Sequence, residues 1–268
     1  MSTNQPQTIR GMSNEEYHSL PSISKSGLDL IRKAPALFKW TRDNPTEPTE
    51  AMRWGTLVHT AILEPDTLEE RTIIAPVVDR RTTQGKADWA AFQIEAKGRE
   101  IVTADEIEGL RATRDAVWTH PATSKALGMI REVETSIFWQ DECTGIECRC
   151  RPDAIMTNGT ILDVKTTKDA RPDEFAKSIA NYRYHVQAAF YADGFKAAFG
   201  EPPRGFAFLA VEKTRPFLCA LYVLDAKAVL RGRSEYEADL DVLKRCRETD
   251  TWPGLPDAPV ILDLPKWA

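Results

Sequence analysis

The chain has 268 residues and a formal net charge of −5, with 42% apolar and 28% charged residues. This composition is typical of an ordinary globular protein, and the length allows one large domain or two small ones. No run of about 18 apolar residues occurs, so we expect no membrane span. The negative net charge argues against indiscriminate nucleic-acid binding, although a local basic surface would still permit specific binding.

The N-terminus and the cysteines indicate a reducing compartment. Met1–Gln7 lack the apolar core of a signal peptide, and an odd number of cysteines, five, suggests free thiols. We therefore expect a cytoplasmic protein with no membrane partner. Cys148 and Cys150 alternate along a predicted strand. We expect the cysteines to pack as small apolar residues and not to hold an iron–sulfur cluster.

The first 130 residues are predicted to be mainly helical. Residues 1–12 are expected to form a flexible tail. Ser13 and Glu16 have the spacing of a capping box, and Ser24 and Thr103 are placed to cap further helices. Helices are predicted near 25–34, 35–40, 51–63, 88–98, 104–119 and 121–127, and a strand near 71–78. The polar, basic stretch 79–86 is predicted to be a loop, and its arginines and lysine fit either a nucleic-acid contact or plain exposure to solvent.

The second half of the chain predicts a sheet with covering helices. Strands are expected at 134–140, 146–156, 161–165, 206–211 and 218–224, and helices at 173–199 and 226–248. We therefore predict one α/β (α+β) domain over 13–268, with a central mixed β-sheet flanked by helices. Within it, 13–130 form the helical part, 131–250 the core and 251–268 a C-terminal tail.

The short strand Ile161–Lys165 carries an acid and a base on one face. Side chains alternate along a strand, so Asp163 and Lys165 share a face. Unpaired buried charges are costly, but a divalent cation would offset the acid. Asp163 offers the oxygen ligands that Mg²⁺ prefers, and Lys165 could orient an attacking water or stabilise charge on a phosphate. Taken alone, an Asp-x-Lys pair on a strand is more often a surface ion pair.

The loop before this strand decides whether a second acid reaches the same face. A two-residue Asn158-Gly159 loop would place Asp153 and Asp163 on opposite faces. A three-residue loop, 157–159 with Gly159 in the left-handed conformation, would place them opposite each other on one face. A metal site therefore predicts the three-residue loop or an equivalent bulge upstream.

Four motifs together resemble those of the PD-(D/E)xK nuclease superfamily. Pro152–Asp153 followed by Asp163–Lys165 resembles the superfamily signature. Gln187–Tyr191 resembles the Gln-xxx-Tyr motif of the RecB-like branch, and Gly55–His59 resembles the Gly-xxx-His motif that precedes it. The order and spacing, over roughly residues 12–250, are similar to those of the RecE-like exonuclease family. The resemblance implies a restriction-endonuclease-like core.

The predicted metal ligands are Asp153, Asp163 and the Val164 backbone carbonyl, with His59 as a ligand or a water-positioning group. Neutral imidazole is a competent ligand, although a lone His on a helix flank is more often a core residue. Glu64 is a further candidate, because Pro65 suggests that the helix ends beside it. The catalytic residues are predicted to be Lys165, Asp163, Asp153 and Gln187.

Four residues are predicted to contact DNA: Tyr191, Arg151, Lys168 and Arg183. Gln187 and Tyr191 lie four residues apart and so share one helix face. Without the other motifs, they would be read as a helix surface pair. Each basic residue, taken alone, is more often a solvated surface charge.

The resemblance implies a Mg²⁺-dependent exonuclease, with Mn²⁺ as a substitute, that degrades linear double-stranded DNA 5′→3′ from free ends. The resulting 3′ single-stranded tails would serve a single-strand annealing recombinase of the RecT-like type. It also implies a ring-shaped homo-oligomer, a tetramer or trimer. Three alternatives stay open: an endonuclease or repair nuclease with the same site, a DNA-binding module without catalysis, and a metabolic metal enzyme that uses the same acids.

Overall fold

A computed structural model describes residues 6–264 of the chain. The predicted tails extend beyond this range at 1–5 and 265–268, which lie outside the described residues. The helices are α1 Asn14–Ser19, α2 Lys25–Lys33, α3 Pro35–Asp43, α4 Glu50–Leu63, α5 Leu68–Arg71, α6 Thr83–Glu95, α7 Ala104–Thr119, α8 Pro121–Leu127, α9 Pro172–Asn181, α10 Tyr184–Phe199 and α11 Ala226–Thr249. The strands are β1 Gln7–Ile9, β2 Thr72–Ile74, β3 Glu100–Val102, β4 Ile130–Val133, β5 Ser136–Gln140, β6 Glu147–Cys150, β7 Ala154–Met156, β8 Thr160–Thr167, β9 Gly205–Glu212 and β10 Cys219–Val223.

A five-stranded mixed sheet in the order β10-β9-β8-β7-β4 forms the centre of the fold. β8 and β9 are parallel, and the other neighbours are antiparallel. Apolar side chains cover both faces of β8: Leu162 and Val164 pack in a core that includes α4 and α7, whereas Ile161 packs with α9 and α10 residues. The predicted α/β class, with a central mixed sheet flanked by helices, is confirmed.

A second sheet, β1-β5-β6, corrects two predictions. The sequence predicted one strand over 146–156, but β6 and β7 belong to different sheets and the ladder stops between them, at Pro152. Proline has no N–H to donate to a ladder, so a strand readily changes sheets there. Part of the predicted flexible tail is also ordered, because β1 pairs antiparallel with β5.

Helix starts follow the sequence closely. Ser13 and Thr103 each form a complete capping box, and the Ser24 side chain accepts a hydrogen bond from the Gly27 backbone. The predicted loop at 79–86 is shorter than expected. Thr82 caps α6, which takes in the second half of that stretch.

Helix α10 lies against α11 at very close range. A Cβ added to Gly232 would lie 2.1 Å from the His185 carbonyl oxygen, so the two backbones are in direct contact there and only glycine fits. This contact fixes the helix that carries Gln187 and Tyr191. Neither α11, with 24 residues, nor any other helix within 6–264 is both long enough and apolar enough to cross a membrane.

Candidate active site

The β7–β8 hairpin places two acids side by side. Ala154 pairs with Leu162, and continuing this register brings Asp153 opposite Asp163. The three-residue loop has Gly159 at φ +79°, in the left-handed region. The predicted loop length and its left-handed glycine are confirmed, and both carboxylates face the same side of the sheet.

Lys165 is held beside Asp163. Its ammonium lies 2.5 Å from Asp163 Oδ1, and the Gln187 side-chain amide donates a hydrogen bond to Asp163 Oδ2. Burial lowers the pKa of Lys165, but the neighbouring charges of Asp163 and Asp153 outweigh it and leave the pKa raised. Lys165 is therefore protonated at neutral pH. Asp163 holds its ammonium group in place, and Gln187 in turn holds Asp163.

His59 enters the site from α4 and meets the β8 backbone. Its Nε2 lies 3.0 Å from the Val164 carbonyl oxygen, and its Nδ1 lies 3.5 Å from Asp153 Oδ2. The same Asp153 oxygen accepts a hydrogen bond of 2.7 Å from the Val164 backbone N–H. Burial, followed by the charge of Lys165, lowers the pKa of His59, so the imidazole is neutral, as a metal ligand must be.

Glu134 joins the site although the sequence did not single it out. It follows β4 with φ +50°, and its backbone N–H donates to the Asp153 carbonyl oxygen at 3.1 Å. One ligand atom from each of His59, Glu134 and Asp153 lies within 4.8 Å of the others. The sequence showed only an acid at the start of an alternating strand. The left-handed turn that redirects Glu134 had no separate signal.

The donors at this site fit a hard divalent cation. Two carboxylates, a neutral imidazole and a backbone carbonyl converge, and adjacent ligands of an octahedral Mg²⁺ lie about 3 Å apart. Burial and then the charge of Asp163 raise the pKa of Asp153 well above its ordinary value, while burial and then the charge of Asp153 raise that of Glu134 to about 7. These directions indicate an excess of negative charge that a bound cation would offset.

Two other predicted ligands are engaged elsewhere. Both oxygens of Asp163 contact Lys165 or Gln187, and Asp163 is not part of the cluster of His59, Glu134 and Asp153. Glu64 caps the end of α4 and lines the same cavity as His59, but its carboxylate makes two bonds of 2.9 Å to Arg71.

Of the four predicted DNA contacts, the structure leaves only Lys168 exposed. The buried Arg151 guanidinium bonds to Ser136 and to the start of α1, and Arg183 is held by carboxylates of Asp29 and Asp239. Tyr191 packs edge-on against Phe206. These two arginines therefore hold the fold together here, because most of their donors bind protein groups.

Residues 24–258 match the model of a family described as PDDEXK-like domain of unknown function (DUF3799). The chain belongs to this family. It is a metal-dependent nuclease of the PD-(D/E)xK superfamily. Its fold is similar to the crystal structure of a "Putative exonuclease" from Eubacterium rectale, with a TM-score of 0.65 and 15% identity over 95% of each chain. A comparison with curated proteins found no match.

Proposed function

We propose that this PDDEXK-like nuclease is a Mg²⁺-dependent exonuclease that degrades linear double-stranded DNA. The observation that carries the proposal is the convergence of His59, Glu134 and Asp153 beside the partly buried Lys165. The protein of similar fold is named as a "Putative exonuclease", and this name supports the choice of an exonuclease.

The residues of the chain divide the chemistry among them. Asp153, Glu134, His59 and the Val164 carbonyl would hold the ion, with Asp163 facing the same site. When bound, a divalent ion polarises the scissile phosphodiester and lowers the pKa of the attacking water. The Lys165 ammonium is placed to orient that water and to stabilise the charge that develops on the phosphate. Gln187 and Asp163 keep this ammonium in position.

The finer features of the proposal follow from the RecE-like motif order. They are 5′→3′ polarity, 3′ single-stranded products, replacement of Mg²⁺ by Mn²⁺, a RecT-like annealing partner, a ring-shaped tetramer or trimer, and a cytoplasmic location. All of them agree with a nuclease that prepares DNA ends for recombination by strand annealing.

The proposal is tested by incubating the protein with linear and with closed circular duplex DNA, in Mg²⁺ and in EDTA. We expect loss of the linear DNA alone, only in Mg²⁺, and no loss with Lys165→Ala. Linear DNA labelled at only its 5′ ends or only its 3′ ends gives the polarity, because the label at the end that is attacked is released first. Nicking of the circle would replace the exonuclease with an endonuclease that uses the same residues, and stability of both substrates would contradict the proposal.

A further inference from the structure

A second cavity lies next to the active site, on the side of Tyr184. It has a volume of about 650 Å³ and is lined by Met52, Lys168, Lys177, Tyr182, Tyr184 and Lys213, among others. The Tyr184 ring lies 4.8 Å from the Lys165 ammonium, so this wall of the cavity is also a wall of the active site. An occupant of the cavity would therefore continue directly from a phosphodiester bound at Lys165.

An aromatic platform forms one side of this cavity. The rings of Tyr182 and Tyr184 are stacked, with centroids 5.6 Å apart and an interplanar angle of 26°. Tyr184 is partly buried, whereas Tyr182 is 62% exposed. A large exposed ring that is stacked on one face leaves its other face free for a planar ligand. Base stacking on such rings is the common way in which proteins bind single-stranded nucleic acids.

The turn that presents Tyr182 is fixed by partly buried charged side chains. Arg183 adopts a left-handed conformation between α9 and α10, and Asp29 and Asp239 hold its guanidinium. Lys25 donates a 2.6 Å hydrogen bond to the Tyr182 carbonyl oxygen. The backbone that carries the ring is thus held in place before any ligand arrives, which lowers the entropic cost of binding.

The charge of the cavity suits a phosphate backbone. Lys168 and Lys213 are exposed, and within residues 6–264 neither ammonium has a carboxylate partner. They stand at the ends of the parallel strands β8 and β9, where Lys213 N–H donates to the Thr167 carbonyl oxygen. The acids that also line the cavity are paired: Glu174 with Lys177, and Asp169 with Arg171. Two free positive charges therefore flank the aromatic platform.

We propose that this cavity binds a single strand of DNA next to the cleavage site, with one base stacked on Tyr182 and its phosphates near Lys168 and Lys213. The proposal rests on the nuclease function proposed above and deepens it. It means that the strand is separated from its complement where it approaches or leaves Lys165.

The test is binding of a fluorescently labelled oligothymidine strand to the full chain in EDTA, where cleavage is suppressed and the site is otherwise intact. Tyr182→Ala should weaken binding about 5- to 150-fold, since a stacked base contributes that range of affinity. Tyr182→Phe should stay within about twofold of the wild type because the ring is kept. Trp40→Ala is the matched control, as Trp40 is 57% exposed on α3 and does not line the cavity.

The salt dependence of strand binding tests the roles of Lys168 and Lys213 independently. Removing one lysine that neutralises a phosphate of a single strand should reduce the slope of log affinity against log salt by about 0.7. Lys168→Ala and Lys213→Ala should each show this change, with Lys196→Ala on α10 as the control. Equal slopes would remove the lysines from the proposal.

The outcomes separate this proposal from the exonuclease itself. Weakened binding by Tyr182→Ala, together with cleavage of closed circles, would keep the strand site and overturn the exonuclease. Normal degradation of linear DNA with binding unaffected by Tyr182→Ala would overturn the strand site alone. No binding of the strand by the wild-type protein would also overturn it.

Discussion

Two clusters of charged side chains, most of them partly or fully buried, differ in their balance of acids and bases. The first, which we call the Arg183 cluster, contains three acids and three bases: Asp29, Glu235 and Asp239 with Lys25, Arg183 and Arg231. Burial alone would raise the pKa of Glu235, but bonds from Arg231 and His185 leave it lowered. The formal charges of these six side chains cancel without any ligand.

The second, which we call the Asp153 cluster, has more acids than bases. Its members are Glu134, Asp153 and Asp163 with Lys165, and with Arg151 at 3.7 Å from Glu134. Burial raises the pKa of Glu134, as it also raises that of Asp239 in the Arg183 cluster. The charge of Asp153 raises the pKa of Glu134 further, whereas a bond from Arg183 acts to lower that of Asp239. The comparison teaches that partial burial does not by itself mark a carboxylate as functional. A cluster in which acids outnumber the basic side chains is the one that indicates a bound cation.

The largest effect should come from removing the only lysine in the Asp153 cluster. Lys165→Ala should slow cleavage of linear DNA by at least about 10²–10³-fold, the usual loss when one group that stabilises transition-state charge is removed. Single-turnover rates measure this directly. Lys196→Ala, which removes an exposed lysine on α10, should keep the wild-type rate. Equal rates for Lys165→Ala and the wild type would exclude Lys165 from catalysis.

Removing a charge from the Arg183 cluster should lower the stability of the fold and not the rate of cleavage directly. Arg183→Met leaves Asp29 and Asp239 without their shared cation and should cost about 3–5 kcal/mol of unfolding free energy, measured by urea denaturation. Arg231→Met, at a side chain that is 78% exposed, should cost less than about 1 kcal/mol. Similar small losses in both variants would show that the Arg183 cluster does not organise the fold.

Glu134→Gln separates metal binding from folding within the Asp153 cluster. It keeps the shape of the side chain but removes one negative ligand, so we expect about 10- to 100-fold weaker Mn²⁺ binding by calorimetry. Metal-free stability should not fall. Glu64→Gln is the control, because the Glu64 carboxylate is already bound by Arg71. Equal losses of affinity in the two variants would contradict the assignment of Glu134.

The sequence predicted the features that depend only on residues close together in the chain. The spacing of Asp163 and Lys165, the left-handed Gly159 and the capping residues follow from strand alternation and turn chemistry, and the structure confirms these placements. Glu134 and the role of Arg183 could not be predicted, because each depends on a left-handed backbone position that brings distant segments together. The sequence placed Arg183 near a motif, but it did not show that Asp29 and Asp239, from other helices, bind its side chain.

The smallest expected effect is a dependence on pH. A carboxyl whose pKa is raised in the folded state favours folding in its protonated form, so its contribution is full at low pH and is lost as the pH rises through about 7 for Glu134. Metal-free protein should therefore be slightly less stable at pH 8 than at pH 6. Metal affinity should rise over the same interval because the ligands must lose protons. Glu134→Gln should flatten both trends, which thermal unfolding and calorimetry would record.

Thermal unfolding of the wild-type chain at pH 8, with and without millimolar Mg²⁺, tests most directly whether the Asp153 cluster needs a cation. A ligand that binds only the folded state stabilises it by about 2.7 kcal/mol at a hundredfold excess over its Kd. We predict that Mg²⁺ raises the melting temperature of the wild type and of Arg231→Met, and leaves that of Asp153→Asn unchanged. An equal shift in Asp153→Asn, or no shift in the wild type, would contradict the metal site.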